Sequence, residues 1–184
     1  MNRQSLPELE ELVALFYRDG AQLGTFEEVS ADDLPAPYRT LLAHDDHMTV
    51  TVESFHGSSV DVEVLERLFA SPRYARKILL RRQSDGQVVQ FGIMRLSFNY
   101  LNDDVRRDIE SERIPLGRTL IEHGVLRKVQ LVSLWRIAAG ADLAQLFQVP
   151  AGSQTFGRTA LIYCNGEPAV ELLEIVTPAA TMRE

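Results

Sequence analysis

Residues 76–98 read Arg76-Lys77-Ile78-Leu79-Leu80-Arg81-Arg82-Gln83-Ser84-Asp85-Gly86-Gln87-Val88-Val89-Gln90-Phe91-Gly92-Ile93-Met94-Arg95-Leu96-Ser97-Phe98. Two apolar-rich runs, 76–83 and 87–98, flank Ser84-Asp85-Gly86. Asp-Gly readily adopts the positive φ that a tight hairpin turn needs, so the stretch predicts two antiparallel strands. The pattern recurs near the C-terminus, where residues 154–164 and 169–176 flank Asn165-Gly166. Residues 125–138 form one further long strand. Upstream, Val60, Val62 and Val64 alternate with Asp61 and Glu63, and Leu65–Ala70 either continues that strand or bends into a helical turn. Val50 and Val52 alternate with Thr49, Thr51 and Glu53, so 48–55 also reads as a strand, closed by the turn residues Gly57-Ser58-Ser59.

Helical periodicity fills the gaps. Residues 7–18 carry an apolar stripe of Leu9, Leu12, Val13 and Phe16, with Ser5 placed to cap it and Glu8 at capping-box spacing. A second helix runs from about 33 or 35 to 43, with Tyr38, Leu41 and Leu42 inward. Asn102 caps a third, whose first turn holds Asp103 and Asp104, where the helix dipole favours anions. Pro115 opens a fourth, ended by Gly124. Residues 141–147 form a last helical turn. The sum is an α+β chain: a single six-stranded antiparallel sheet flanked by helices.

The 184 residues are 45% apolar and 24% charged, and suffice for one domain without disulfides or metal. Nineteen Lys and Arg against 26 Asp and Glu leave a net charge of −7. That balance argues against nucleic-acid and anionic-membrane partners. One cysteine, Cys164, excludes an internal disulfide and any multi-cysteine zinc site. No apolar run reaches the ~20 residues of a membrane span, and Met1–Ser5 leads into an acidic helix rather than a signal core. A cytoplasmic protein, monomer or homodimer, is expected.

Three charged residues fall on apolar strand faces. By period-2 counting, Arg76 shares a face with Ile78 and Leu80, Arg158 with Phe156, Ala160 and Ile162, and Glu174 with Val170, Leu172 and Val176. A buried charge is costly unless it is paired or meets a ligand. An Arg and a Glu facing one core can simply pair with each other. His44-Asp45-Asp46-His47 spaces two histidines three apart, but with no third ligand nearby it reads as a polar helix end rather than a metal site. Cys164 reads as a small apolar residue. No Gly-x-Ser-x-Gly or phosphate loop is present.

Four segments in order resemble the chorismate pyruvate-lyase (4-hydroxybenzoate synthase) superfamily, whose fold is shared by ligand-sensing domains of bacterial transcription regulators. They are Leu41-Leu42 with Met48-Thr49; Arg76-Lys77-Ile78-Leu79-Leu80; Pro115-Leu116-Gly117-Arg118; and Gly157-Arg158 with Asn165-Gly166-Glu167-Pro168 and Glu174-Ile175-Val176-Thr177-Pro178. The match covers a core at 38–178, leaving a helical segment at 1–37 and a tail at 179–184. Leu173 stands where such lyases often carry Thr.

The resemblance implies a ligand enclosed beneath helical flaps. Arg76 would hold a ring carboxylate, and Glu174 would serve as general acid or hydrogen-bond partner at the ether oxygen. Met48, Thr49, Leu116 and Gly117 would close the pocket. Arg158 is the candidate for a second carboxylate, with Arg95 and Arg118 as substitutes, because guanidinium groups bind carboxylates bidentately. The expected partner is a small carboxylic acid, chorismate or hydroxybenzoate-like, and no cofactor or metal is implied. The leading expectation is a lyase that releases pyruvate from chorismate. The alternative is a non-catalytic sensor of the same fold; such regulators carry a DNA-binding winged helix, whereas the 47 residues before Met48 are acidic and lack a basic recognition helix.

Overall fold

The structure, a computed structural model, describes residues 8–179. Its helices are α1 (Leu9–Ala14), α2 (Ala36–Leu42), α3 (Met48–His56), α4 (Asp103–Ser111), α5 (Leu116–Glu122) and α6 (Ala141–Phe147). Its strands are β1 (Gly24–Val29), β2 (Val60–Ala70), β3 (Arg73–Arg82), β4 (Val88–Ser97), β5 (Arg127–Ala139), β6 (Gln154–Cys164) and β7 (Glu167–Val176). All seven strands join one sheet in the order β1-β5-β6-β7-β4-β3-β2, every neighbour antiparallel. The fold class is the expected one, with seven strands instead of six.

The two hairpins form where the turn residues place them. Asn165 and Gly166 both take positive φ, 54° and 86°, between β6 and β7. The Asn102 side chain accepts from the Val105 N–H at 2.9 Å and caps α4. β2 stays extended to Ala70, with one irregularity between Val64 and Glu66.

The segment expected as a strand at 48–55 is instead α3. Alternating β-branched residues fit either state, and burial decides between them. Met48, Thr49 and Val52 are buried at helical spacing while Val50 is 48% exposed. Gly57, at φ 61°, ends the helix in the left-handed conformation. The extra strand is β1, which pairs along β5 as a sheet edge. The first helix is shorter than 7–18, and its Glu8 makes no side-chain cap bond. Ser5 lies outside the described residues.

The helices cover both faces. On one, α1 and α6 bury Leu12, Val13, Leu143 and Phe147 against Leu79, Phe91, Ile93, Ile137, Leu173 and Ile175. On the other, α4 and α5 pack over Met94, Ala160, Ile162 and Leu172, and α2 and α3 pack over Leu80, Phe156 and Val176. The candidate site lies on this second face.

Candidate functional site

Strand register builds the floor. Ile78, Gly92, Glu174, Arg158 and Leu134 stand opposite one another in a row across β3, β4, β7, β6 and β5. The row on one side holds Arg76, Met94, Leu172 and Ala160. The row on the other holds Leu80, Gln90 and Val176. Residues two apart along a strand share a face, so all three charged residues picked out by periodicity face the same side. Gly92, at the centre, contributes no side chain, and that of Ile78 packs beside it, 3.3 Å from where a Cβ would lie.

Two helix starts form the roof. His47, Met48 and Thr49 lead α3, and Pro115, Leu116 and Gly117 lead α5; all six line the cavity. The starts meet closely: a Cβ on Gly117 would lie 3.1 Å from Thr49 Oγ1 and 3.3 Å from His47 Nδ1. Arg118 pairs with Glu53 and ties α5 to α3. The cavity is partly open to solvent and its volume is about 50 Å³. An apolar cavity of about 150 Å³ takes up benzene, so a ring-sized ligand requires the roof to move.

Arg76 lines this cavity and is only 1% exposed. Its Nη1 makes a long contact of 3.5 Å to the Ile109 carbonyl, and its Nε is buried without a hydrogen-bond partner. Burial lowers its pKa, opposed by the charge and hydrogen-bonding of the Tyr74 side chain and by the charge of Glu112. An unmet buried donor costs about 1–3 kcal/mol, more when charged. An anion placed there would remove that cost.

Arg158 is placed differently. Its Nε donates to Glu174 Oε2 at 2.8 Å, Nη1 to the His44 carbonyl at 2.8 Å, and Nη2 to the Asp46 carbonyl at 3.0 Å. Three of its donors are engaged within the chain, so its geometry is that of a clamp holding the 44–47 loop over the sheet. Arg95 pairs with Glu171 and Glu11, and Arg118 with Glu53. Neither lines the cavity. Glu174 does line it, paired as it is with Arg158. Gln90, which the sequence reading passed over, is 3% exposed, lines the cavity and holds Oε1 without a partner.

His44 and His47 are held by the chain itself. His44 Nε2 donates to the Leu41 carbonyl at 2.7 Å, and its Nδ1 accepts from the Asp46 N–H at 3.1 Å. His47 Nε2 accepts from Arg127 Nε at 2.7 Å. Burial, with Arg127 and Arg158 nearby, holds His47 down to about 4, so it is neutral at pH 7. Among the described residues no three potential metal ligands cluster, and no helix is long and apolar enough to cross a membrane. Cys164 is buried, and burial pushes its thiol up to about 11.

No protein-family model matches the sequence, and no curated protein sequence matches it. Solved structures do match. The effector domain of PhnF from Mycobacterium smegmatis is similar at TM-score 0.51, with 14% identity, over 72% of this chain and 88% of that one. PhnF from the same organism is similar at TM-score 0.50 and 14% identity, over 71% of this chain and 63% of that one. The ligand-binding domain of a transcriptional regulator assigned to the GntR family, from Bordetella bronchiseptica, gives TM-score 0.47 and 15% identity, over 65% and 86%. The PhnF likenesses establish the fold: this chain carries the α+β architecture of that effector domain, one antiparallel sheet flanked by helices.

Proposed function

We propose that the chain is a small-ligand-binding module that takes a small carboxylic acid into the cavity under α3 and α5, with the carboxylate against Arg76. The observation that carries this reading is the buried Arg76 Nε, a charged donor without a partner in a partly enclosed, mostly apolar cavity. Fixed cations in such surroundings bind carboxylates well, because little water competes. The fold shared with a domain called an effector domain supports binding over turnover. The fold likeness gives no support to the expectation that nucleic acid is no partner.

A second reading, the chorismate lyase, draws on one observation: Glu174 lines the same cavity as Arg76. There Glu174 would supply the proton or hydrogen bond at the departing ether oxygen. Its bond to Arg158 makes it equally a structural partner.

Calorimetric titration with 4-hydroxybenzoate, run beside an assay of pyruvate release from chorismate, separates the two. Saturable binding without pyruvate is the expected result. Catalytic pyruvate release lost in Glu174→Gln would establish the lyase reading instead. Absence of any binding would overturn both.

A further inference from the structure

We infer that Gln90 reads a hydrogen-bond donor on the bound acid, so that the cavity selects a hydroxylated carboxylic acid over its unsubstituted analogue. This rests on the reading of Arg76 as carboxylate anchor.

Among the described residues, three buried side-chain polar atoms lack a hydrogen-bond partner: His56 Nε2, Arg76 Nε and Gln90 Oε1. Two of the three line one cavity. They are complementary in kind, since Arg76 offers a charged donor and Gln90 a carbonyl acceptor. Buried amides are almost always paired, so a cavity that leaves one of each unpaired is completed by a molecule that supplies both partners.

The register places them apart. Arg76 stands opposite Met94, and Gln90 lies four residues along the same strand. At about 3.4 Å per residue, their positions on the sheet are separated by about 14 Å along the strand direction. Between them lies Gly92, with the Ile78 side chain 3.3 Å from where its Cβ would sit, and both residues line the cavity. A ligand lying over Gly92 therefore meets the cation at one end and the acceptor at the other. Leu80 and Val176 flank Gln90 in its row and offer no competing donor. A benzoate that ends in C–H at that point leaves the Gln90 carbonyl unmet, whereas a hydroxyl satisfies it.

The test is calorimetric titration of the full chain with benzoate and the three monohydroxybenzoates, for wild type and Gln90→Met, which keeps the side-chain length and removes the amide. At least one hydroxybenzoate is expected to bind wild type about tenfold more tightly than benzoate, the ordinary worth of one buried hydrogen bond. In Gln90→Met that ratio falls close to one while benzoate affinity stays within about twofold. The variant's melting temperature stays level or rises, because an unpaired carbonyl has been removed. A preserved ratio in Gln90→Met, no isomer preferred by wild type, or a melting temperature lowered by several degrees overturns the inference. Failure of the underlying reading looks different: wild type binds none of the acids, or Arg76→Met binds them all unchanged, and the inference falls with it.

Discussion

Arg158 stands opposite Glu174 on neighbouring strands and donates its Nε–H to Oε2 at 2.8 Å. The same guanidinium donates to the carbonyls of His44 and Asp46 in the loop that begins the roof. One buried ion pair thus joins the floor of the cavity to its cover. Removing either partner leaves the other charged and buried.

Arg158→Met is therefore expected to cost about 3–5 kcal/mol, lowering the melting temperature by about 10 °C in a chain of this size. The double variant Arg158→Met, Glu174→Met removes both charges and recovers part of that loss. Chemical denaturation of both checks this. A double variant less stable than Arg158→Met would contradict it.

The pH dependence follows from His47. Its folded pKa, about 4, lies below the ordinary 6.5, by burial first and then by Arg127 and Arg158, with Asp46 opposing. Between those values the unfolded chain binds more protons, so stability is fully present above about pH 6.5 and is lost as pH falls toward 4. Burial pushes His44 and His56 the same way, and both add to the slope. His47→Gln, whose amide oxygen can still accept from Arg127, is expected to flatten the profile of urea midpoint against pH in that window. An unchanged profile would show that His47 does not contribute.

The Arg118–Glu53 pair is partly exposed, with side chains 38% and 17% accessible, so its worth to stability is below about 1 kcal/mol. Its place between α3 and α5 gives it a kinetic role. Arg118→Gln is expected to speed ligand entry and exit in stopped-flow measurements with little change in melting temperature. Added salt should speed wild type more than the variant. Equal rates in both would mean that the roof opens without breaking this pair.

Two glycines of the sheet separate closeness to backbone from closeness to a side chain. A Cβ on Gly157 would lie 2.7 Å from the Glu174 carbonyl oxygen. Gly157→Ala forces β6 from β7 and is expected to cost about 1–3 kcal/mol. A Cβ on Gly92 meets the side chain of Ile78 at 3.3 Å and the Leu173 carbonyl oxygen at an ordinary 3.6 Å. Gly92→Ala should cost less stability than Gly157→Ala and weaken binding of ring-sized acids. Thermal melts and titration measure both effects, and a reversed order of stability would contradict the packing described.

Much of this arrangement was legible in the sequence because period-2 alternation is a local signal. Asp85-Gly86 and Asn165-Gly166 set the two hairpins, and counting along each strand puts Arg76, Arg158 and Glu174 on its apolar side; the register then brings the three to one face of the sheet. What failed was long-range. The Thr49–Val52 alternation is equally consistent with a helix, and only packing of Met48 and Val52 against the sheet decides it. β1 gave little pattern because an edge strand carrying Glu27 and Glu28 is half solvated. Gln90 sits between Val89 and Phe91 in a strand apolar on both faces, so nothing local marked it as a cavity residue. The division of labour between Arg76 and Arg158 depends on carbonyls of the 44–47 loop, which periodicity along one strand cannot reveal.

The central claim is that Arg76 anchors a carboxylate, and the most direct measurement is calorimetric titration of wild type and Arg76→Met with 4-hydroxybenzoate. A charged hydrogen bond in a buried site is worth about 1.5–3 kcal/mol. The variant should therefore bind roughly ten- to a hundredfold more weakly. Equal affinity in a folded Arg76→Met would contradict the claim.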